Sequence, residues 1–306
     1  MGNSGGMMPH IDLGIDKPVS TLIGHLEGKV YWGKMDESDY NNEVSTNPEQ
    51  YFSAISLGYS PKWIKGLYFG ANRIFYKRWQ DFTFQDYITV FTRTGPPSGN
   101  LVFGNDDLDQ MGSFTVRWSF PEVGFETYLE LAKNDFGGNF FLSSPEHSRA
   151  FTVGFLKLIE FNEVNVKLNY EHTTIGQPKN SSIRRYNRYY SHGAVRNGLT
   201  HRGQLLGAGI GPGSNGDWAD AKVYFNKSML GGSVQRIRFD DDYFFENFTE
   251  QELHDFEWSL GAQYEQLTNH GRFGFEAIYS IRQSKYFILG YNTYNFYLAA
   301  SYIKSF

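Results

Sequence analysis

The sequence predicts an all-β protein, an antiparallel up-and-down transmembrane β-barrel, and three observations predict it. The first is period-two alternation: Glu126, Tyr128, Glu130 and Ala132 alternate with Phe125, Thr127, Leu129 and Leu131, and the same rhythm recurs in Phe114–Phe120 and Phe256–Tyr264. One face of each segment is apolar and the other polar or small, which suits a sheet with lipid on one side and water on the other. The second is an asymmetry of connectors, tight and long in alternation. The third is composition: aromatic residues make up 18% of the chain, with 21 Tyr, 27 Phe and 33 Gly, yet the mean hydropathy is −0.47. Aromatic girdles around a polar lumen reconcile those two figures.

Twelve strands are expected: Leu22–Trp32, Tyr51–Tyr59, Gly66–Trp79, Met111–Phe120, Val123–Asn134, Ala150–Phe161, Glu163–Thr174, Trp218–Leu230, Ser233–Phe245, Phe256–Thr268, Arg272–Ser284 and Tyr294–Phe306. Most are long enough for a tilted span of a bilayer core. Tight turns are expected at Ser60–Lys65, Pro121-Glu122, Asn162, Gly231-Gly232 and Asn269–Gly271. Long connectors are expected at Gly33–Gln50, Gln80–Gln110, Asp135–Arg149, Thr174–Asp217 and Glu246–Asp255. With Phe306 ending in the periplasm, every tight turn falls periplasmic and every long loop outside. On Glu163–Thr174 the lipid set is Val164, Val166, Leu168 and Tyr170, with Asn165, Lys167, Asn169 and Glu171 inward. On Arg272–Ser284 it is Phe273, Phe275, Ala277, Tyr279 and Ile281. Lys157 interrupts an apolar set, at a cost of about 2–4 kcal/mol at mid-bilayer unless it snorkels or turns inward. Trp32, Trp63, Trp79, Trp118, Trp218 and Tyr302, near strand ends, read as interface anchors.

Composition narrows the function. The net charge of −5 argues against generic nucleic-acid binding. With no cysteine, disulfides, thiol nucleophiles and thiolate metal sites are excluded. No apolar run is long enough for a membrane-spanning helix. Met1–Gly6 has neither a basic n-region nor an apolar h-region, so for an exported chain of this kind either the leader has been removed or, the favoured expectation, the chain begins inside a longer gene. Residues 1–306 are read as a single barrel domain and 174–217 as its long extracellular or lumenal loop.

That loop dominates the functional reading, because long loops rich in aromatics and arginine are seldom idle. The order Tyr190, His192, Gly198, Thr200, Arg202, Gly203, Leu206, Gly207, followed by a glycine-rich stretch with Ser214, resembles the signature loop of the capsule-assembly Wzi family. The run Gly104–Gln110, the Arg117-Trp118 strand, and the strand bearing Glu126 and Glu130 with Asn134-Asp135 after it are similar to that family's central region. The resemblance covers roughly residues 100–220. It implies an outer-membrane barrel that attaches capsular polysaccharide at the surface of a Gram-negative bacterium. It also implies about eighteen strands, so the twelve here would be the last two-thirds of a larger barrel.

Carbohydrate chemistry suits the same residues. Sugars stack C–H faces on aromatic rings and hydrogen-bond planar polar groups, and guanidinium reads acidic groups in two-pronged fashion. The polysaccharide-binding candidates are Arg184, Arg185, Tyr186, Arg188, Tyr189, Tyr190, His192, Arg196, His201, Arg202 and Gln204. Asp106, Asp107, Asp109, Glu126 and Glu130 are candidates for the acidic side of the lumen. An alternative has the loop folding inward as a plug, its arginines paired with Glu126, Glu130, Glu171 and Glu265. The acidic run Asp106–Asp109 offers oxygen ligands of the kind Ca²⁺ takes, but without EF-hand spacing; it reads as a charged loop or a partner of the arginines. His172, His192 and His201 match no zinc spacing, and His172 has no distinctive serine for a hydrolase. The expectation is a non-enzymatic, cofactor-free and metal-free monomer that binds capsular or exopolysaccharide, contacts outer-membrane lipid, and binds no nucleic acid. The alternative function is a substrate-specific porin with the long loop as constriction.

Overall fold

The computed structural model describes residues 8–38, 49–92, 108–134, 145–146, 148–177, 189–191, 195 and 198–304. In chain order the strands are β1 (His10–Gly14), β2 (Val19–Ser20), β3 (Gly24–Asp36), β4 (Glu49–Pro61), β5 (Leu67–Arg78), β6 (Leu108–Phe120), β7 (Phe125–Asn134), β8 (Arg149–Phe161) and β9 (Val164–Thr174). There follow β10 (Thr200–His201), β11 (Gln204–Leu205), β12 (Asn215–Phe225), β13 (Ser228–Arg238), β14 (Phe256–Thr268), β15 (Gly271–Gln283) and β16 (Thr293–Lys304). Among the described residues two short α-helices, α1 (Asp86–Thr92) and α2 (Asp241–Asn247), sit in long connectors. The sheet order is β1-β3-β4-β5-β6-β7-β8-β9-β12-β13-β14-β15-β16, with β2 beside β3, while β10 and β11 form their own hairpin. From β3 to β16 neighbours in the sheet are neighbours in sequence apart from that inserted hairpin, the up-and-down order expected from the alternation, and β1 and β2 both pair with β3.

The chain divides into two compact units. One comprises Met1–Arg117, Leu129–Phe151 and Gln177–Pro212; the other comprises Trp118–Tyr128, Thr152–Gly176 and Gly213–Phe306. In the first, the β3–β4 register sets Val30 opposite Ile55, and the β4–β5 register sets Leu57 opposite Ala71 and Tyr59 opposite Phe69. The aromatic row continues from Phe69 to Phe114, whose ring centroids are 6.1 Å apart. On the opposite face Ser56 donates to Asn72 (2.7 Å), which donates in turn to Ser113 (3.1 Å). Cross-strand pairs such as these contribute about 0.2–1 kcal/mol each, so stability accumulates over rows rather than at one core.

The second unit repeats the division. One apolar row runs Val166, Val223, Leu230, Tyr264, Phe275, Ala300 through five successive registers. The polar face carries Gln263 donating to Glu276 (2.8 Å) and Ser259 bonded to Ser280 (3.0 Å). The expected lipid and inward sets of β9 and β15 fall on these two faces.

Three local readings change. The hairpin expected at Gly231-Gly232 turns instead at Asn226-Lys227, and both glycines lie within β13, opposite Lys222 and Ala221. Asn226 takes φ +50°, a left-handed conformation that Asn tolerates better than most side chains. The strand expected to reach Phe245 ends at Arg238, because Asp240 caps α2 by accepting the Tyr243 N–H at 3.1 Å. Trp218 shares its strand face with Asp220 and Lys222, and lines a polar recess with Gln235 and Glu276 rather than anchoring at the apolar face. Lys157 takes the snorkelling route left open for it: its Nζ donates to the Val123 carbonyl at 2.5 Å, so its charge reaches the tight turn.

Candidate functional site

The described part of the long loop is built around a two-residue hairpin. Thr200 faces Leu205 and His201 faces Gln204, with Arg202 at φ +51° and Gly203 at φ +75° between them. Two consecutive left-handed residues make the primed turn whose twist matches a tight hairpin, and glycine is the residue suited to its second position. The hairpin is pinned to the end of β3: the Asp36 N–H donates to His201 Nδ1 (3.0 Å), and the Arg202 N–H donates to the Asp36 carbonyl (2.8 Å). His201 is fully buried, and its Nε2 is buried with no hydrogen-bond partner among the described residues. Because Nδ1 accepts, the neutral ring carries its proton on Nε2.

Tyr190 organises the rest. Its carbonyl accepts the Leu199 N–H (3.0 Å) and its hydroxyl accepts the Ala208 N–H (3.2 Å). Its ring meets Tyr189 edge-on with centroids 4.8 Å apart. A Cβ on Gly207 would lie 2.6 Å from the ring of Tyr190, so only glycine lets that ring lie flat on the backbone. Val195, Leu199, Ile210 and Tyr189 are buried and form the apolar interior of the segment. Beside them opens a cleft of about 500 Å³, lined by Tyr189, Tyr190, Ser191, Thr200, Gln204 and the glycine backbones of 198, 203, 209 and 211. The Tyr189 hydroxyl is buried with no hydrogen-bond partner among the described residues.

Burial favours the neutral form of both phenols. Burial pushes Tyr189 well above its ordinary value, with Tyr190 and the Glu130 and Asp109 carboxylates adding to it. Burial likewise raises Tyr190, offset in part by the Ala208 N–H and reinforced by Glu130. Protonated phenols donate and accept hydrogen bonds, as a neutral glycan hydroxyl does.

The sequence candidates divide as follows. Tyr189, Tyr190 and Gln204 line the cleft. His201 lies behind it as the pin, and Arg202 is exposed and pairs with Asp36 at 3.4 Å. Arg184, Arg185, Tyr186, Arg188, His192 and Arg196 lie outside the described residues, as do Asp106 and Asp107. Asp109 is buried and accepts from the Tyr76 hydroxyl. Glu126 accepts from Ser119 at 2.5 Å, and Glu130 acts on the two tyrosines. Of the acids set against the plug, Glu171 accepts from Tyr128 (2.6 Å) and Glu265 pairs with Arg272 (3.5 Å). His172 is paired with Asp217 at 2.9 Å, which also accepts from Tyr170 and Arg236. Asp36 was missed by sequence reading, since nothing local ties it to a hairpin far along the chain. Ser191 and Thr200 are ordinary loop residues until the fold gathers them.

No family model matches the sequence, and no curated protein matches it. Among solved structures the chain is similar to Wzi, an outer-membrane protein involved in group 1 capsule assembly in Escherichia coli and named as a carbohydrate-binding β-barrel. The TM-score is 0.66 at 14% identity, over 98% of this chain and 61% of that one. A second structure, BamA from Haemophilus ducreyi lacking POTRA domains 1–3, matches with a TM-score of 0.44 at 12% identity, over 96% of this chain and 62% of that one. The chain therefore spans less than two-thirds of the length of either structure. The resemblance read from the loop is met at the level of fold: the chain has the antiparallel β-barrel fold of outer-membrane proteins.

Proposed function

We propose that the protein is a non-enzymatic outer-membrane barrel that binds polysaccharide at the cell surface and holds capsular or exopolysaccharide there. The observation that carries this reading is the cleft at Tyr189 and Tyr190. It combines aromatic rings, the amide of Gln204, the hydroxyls of Ser191 and Thr200, and a buried Tyr189 hydroxyl that lacks a partner among the described residues. A buried hydroxyl with no partner among the described residues is costly unless something bonds to it, and a sugar hydroxyl is one group that can. Glycine backbones on the lining let a ring approach closely. The carbohydrate binding named for the similar Wzi barrel supports the same class of ligand. Acidic groups on the glycan would be read by the loop arginines, and the apolar strand faces would meet membrane lipid around a monomer.

A substrate-specific channel is the second reading. It is favoured by the polar strand face, where a recess of about 440 Å³ is lined by Glu27, Lys29, Asn72, Thr115 and Arg117. Titration of the full-length protein with acidic and neutral capsular oligosaccharides separates the two. Tyr189→Phe is expected to weaken glycan binding by about 2- to 10-fold, the worth of one hydrogen bond. Protein that binds no glycan but conducts ions across a reconstituted membrane would establish the channel instead.

A further inference from the structure

We infer that α1 and the residues just before it form a membrane-interface anchor, seated in lipid on the outside of the sheet at its long-connector end. The segment is held on the apolar strand face, not on the polar one. Val90 is buried against Phe75 and Leu108, with Val30 and Ile55 beside them. Trp32 Nε1 donates to the Tyr87 carbonyl (3.0 Å), the Tyr51 hydroxyl donates to the Asp86 carbonyl (3.1 Å), and Lys77 pairs with Asp86 at 3.0 Å.

What the helix turns away from the protein is greasy. Phe84, Tyr87, Ile88 and Phe91 are 83%, 41%, 52% and 56% exposed. Their spacing of three, four and seven residues makes one helical stripe. A stripe of this kind on a water-facing loop would be an apolar patch without a use. Here it continues the apolar face of β3–β6, where Leu57, Phe69 and Phe114 stand in the same layer. Trp79 beside it carries the Lys34 ammonium over its ring at 5.3 Å, and Arg78 pairs with Asp81 at 2.6 Å. Aromatic rings with paired charges mark the level where acyl chains give way to headgroups, and a short amphipathic helix lying in that plane buries its apolar side there. The occupant of the stripe is therefore bilayer lipid.

The absence of native cysteine makes the test direct. Phe84→Cys, Ile88→Cys and Phe91→Cys each carry an environment-sensitive fluorophore in the full chain, reconstituted into phosphatidylcholine vesicles. Leu298→Cys on the outer row of β16 is the mid-membrane reference, and Lys227→Cys at a tight turn is the aqueous one. The expected result is a blue shift relative to Lys227→Cys, loss of iodide quenching, and stronger quenching by lipids spin-labelled near the headgroup than by deep-labelled ones. Iodide quenching equal to that of Lys227→Cys would overturn the inference. Shielding that rises with protein-to-lipid ratio would also overturn it and assign the stripe to a second copy of the chain. Phe84 precedes the helix, so its variant reports even if Ile88→Cys disturbs α1.

Discussion

Replacing Gly207 by alanine places a methyl group 2.6–2.7 Å from Cζ, Cε1 and Oη of Tyr190. That is about an ångström inside van der Waals contact, and the ring has little room to retreat. It is held edge-on by Tyr189, and its hydroxyl and carbonyl accept from Ala208 and Leu199. Overpacking of this kind costs about 1–3 kcal/mol, so the open population of the loop should rise about 5- to 150-fold. Native-state hydrogen exchange reads it, because loops open locally without unfolding the sheet. The Leu199 and Leu206 amides should exchange faster while those of β14 and β15 hold. A double-mutant cycle makes the cause explicit. Tyr190→Ala alone costs about 3–5 kcal/mol, and in that background Gly207→Ala should be nearly neutral, a coupling of about 1–3 kcal/mol. If Gly207→Ala leaves Leu199 exchange unchanged, or accelerates it equally with and without the ring, the packing argument is refuted.

Three further outcomes follow from the same structure. The folded pKa values of Tyr189 and Tyr190 lie above the ordinary 10.0, so their contribution to loop docking is fully present below pH 10 and is lost as pH rises through the folded values. The late-titrating part of the tyrosinate absorbance should lose two phenols in the double phenylalanine variant. Lys157 reaches the turn carbonyl of Val123, so Lys157→Leu should change folding free energy in vesicles by under about 1 kcal/mol, the interfacial value, rather than the 2–4 kcal/mol of mid-bilayer. A denaturant titration that finds the larger gain would put its charge in the membrane core. Asp255 is buried, accepts from Arg282 at 2.7 Å through both oxygens, and takes the Tyr286 N–H at 2.9 Å. Asp255→Ala should open that connector by about 3 kcal/mol, seen as faster exchange at Tyr286 with the strand amides of β15 unchanged.

Strands were the legible part because alternation is a local signal: side chains of one strand report which face they occupy without knowing their neighbours. Turns were less legible. Gly231-Gly232 carries stronger turn residues than Asn226-Lys227, but the register with β9 and β14 extends β12 to Phe225 and keeps both glycines paired. A glycine pair can end a strand or fill its crowded middle, and only the neighbouring strands choose. Trp218 shows the same limit, since its position in β12 identified the residue but not the polar face it joins.

The sequence by itself determined the fold class, the strand faces and the loop that deserved attention, since period, composition and connector length need no partner to be read. Tertiary structure decided what that loop's residues do. His201 became a buried pin because Asp36, distant in sequence, offers it an N–H. Tyr189 and Tyr190 became a cleft wall because Gly207 lets one ring lie on the backbone and because the two rings pack edge-on over a buried apolar interior. It also turned part of the Gln80–Gln110 connector into α1, which is docked on the apolar face of the sheet and carries an exposed apolar stripe. Alternation is fixed by the geometry of one strand, whereas a hydrogen bond, a pKa or a docked helix depends on groups that sequence separation conceals.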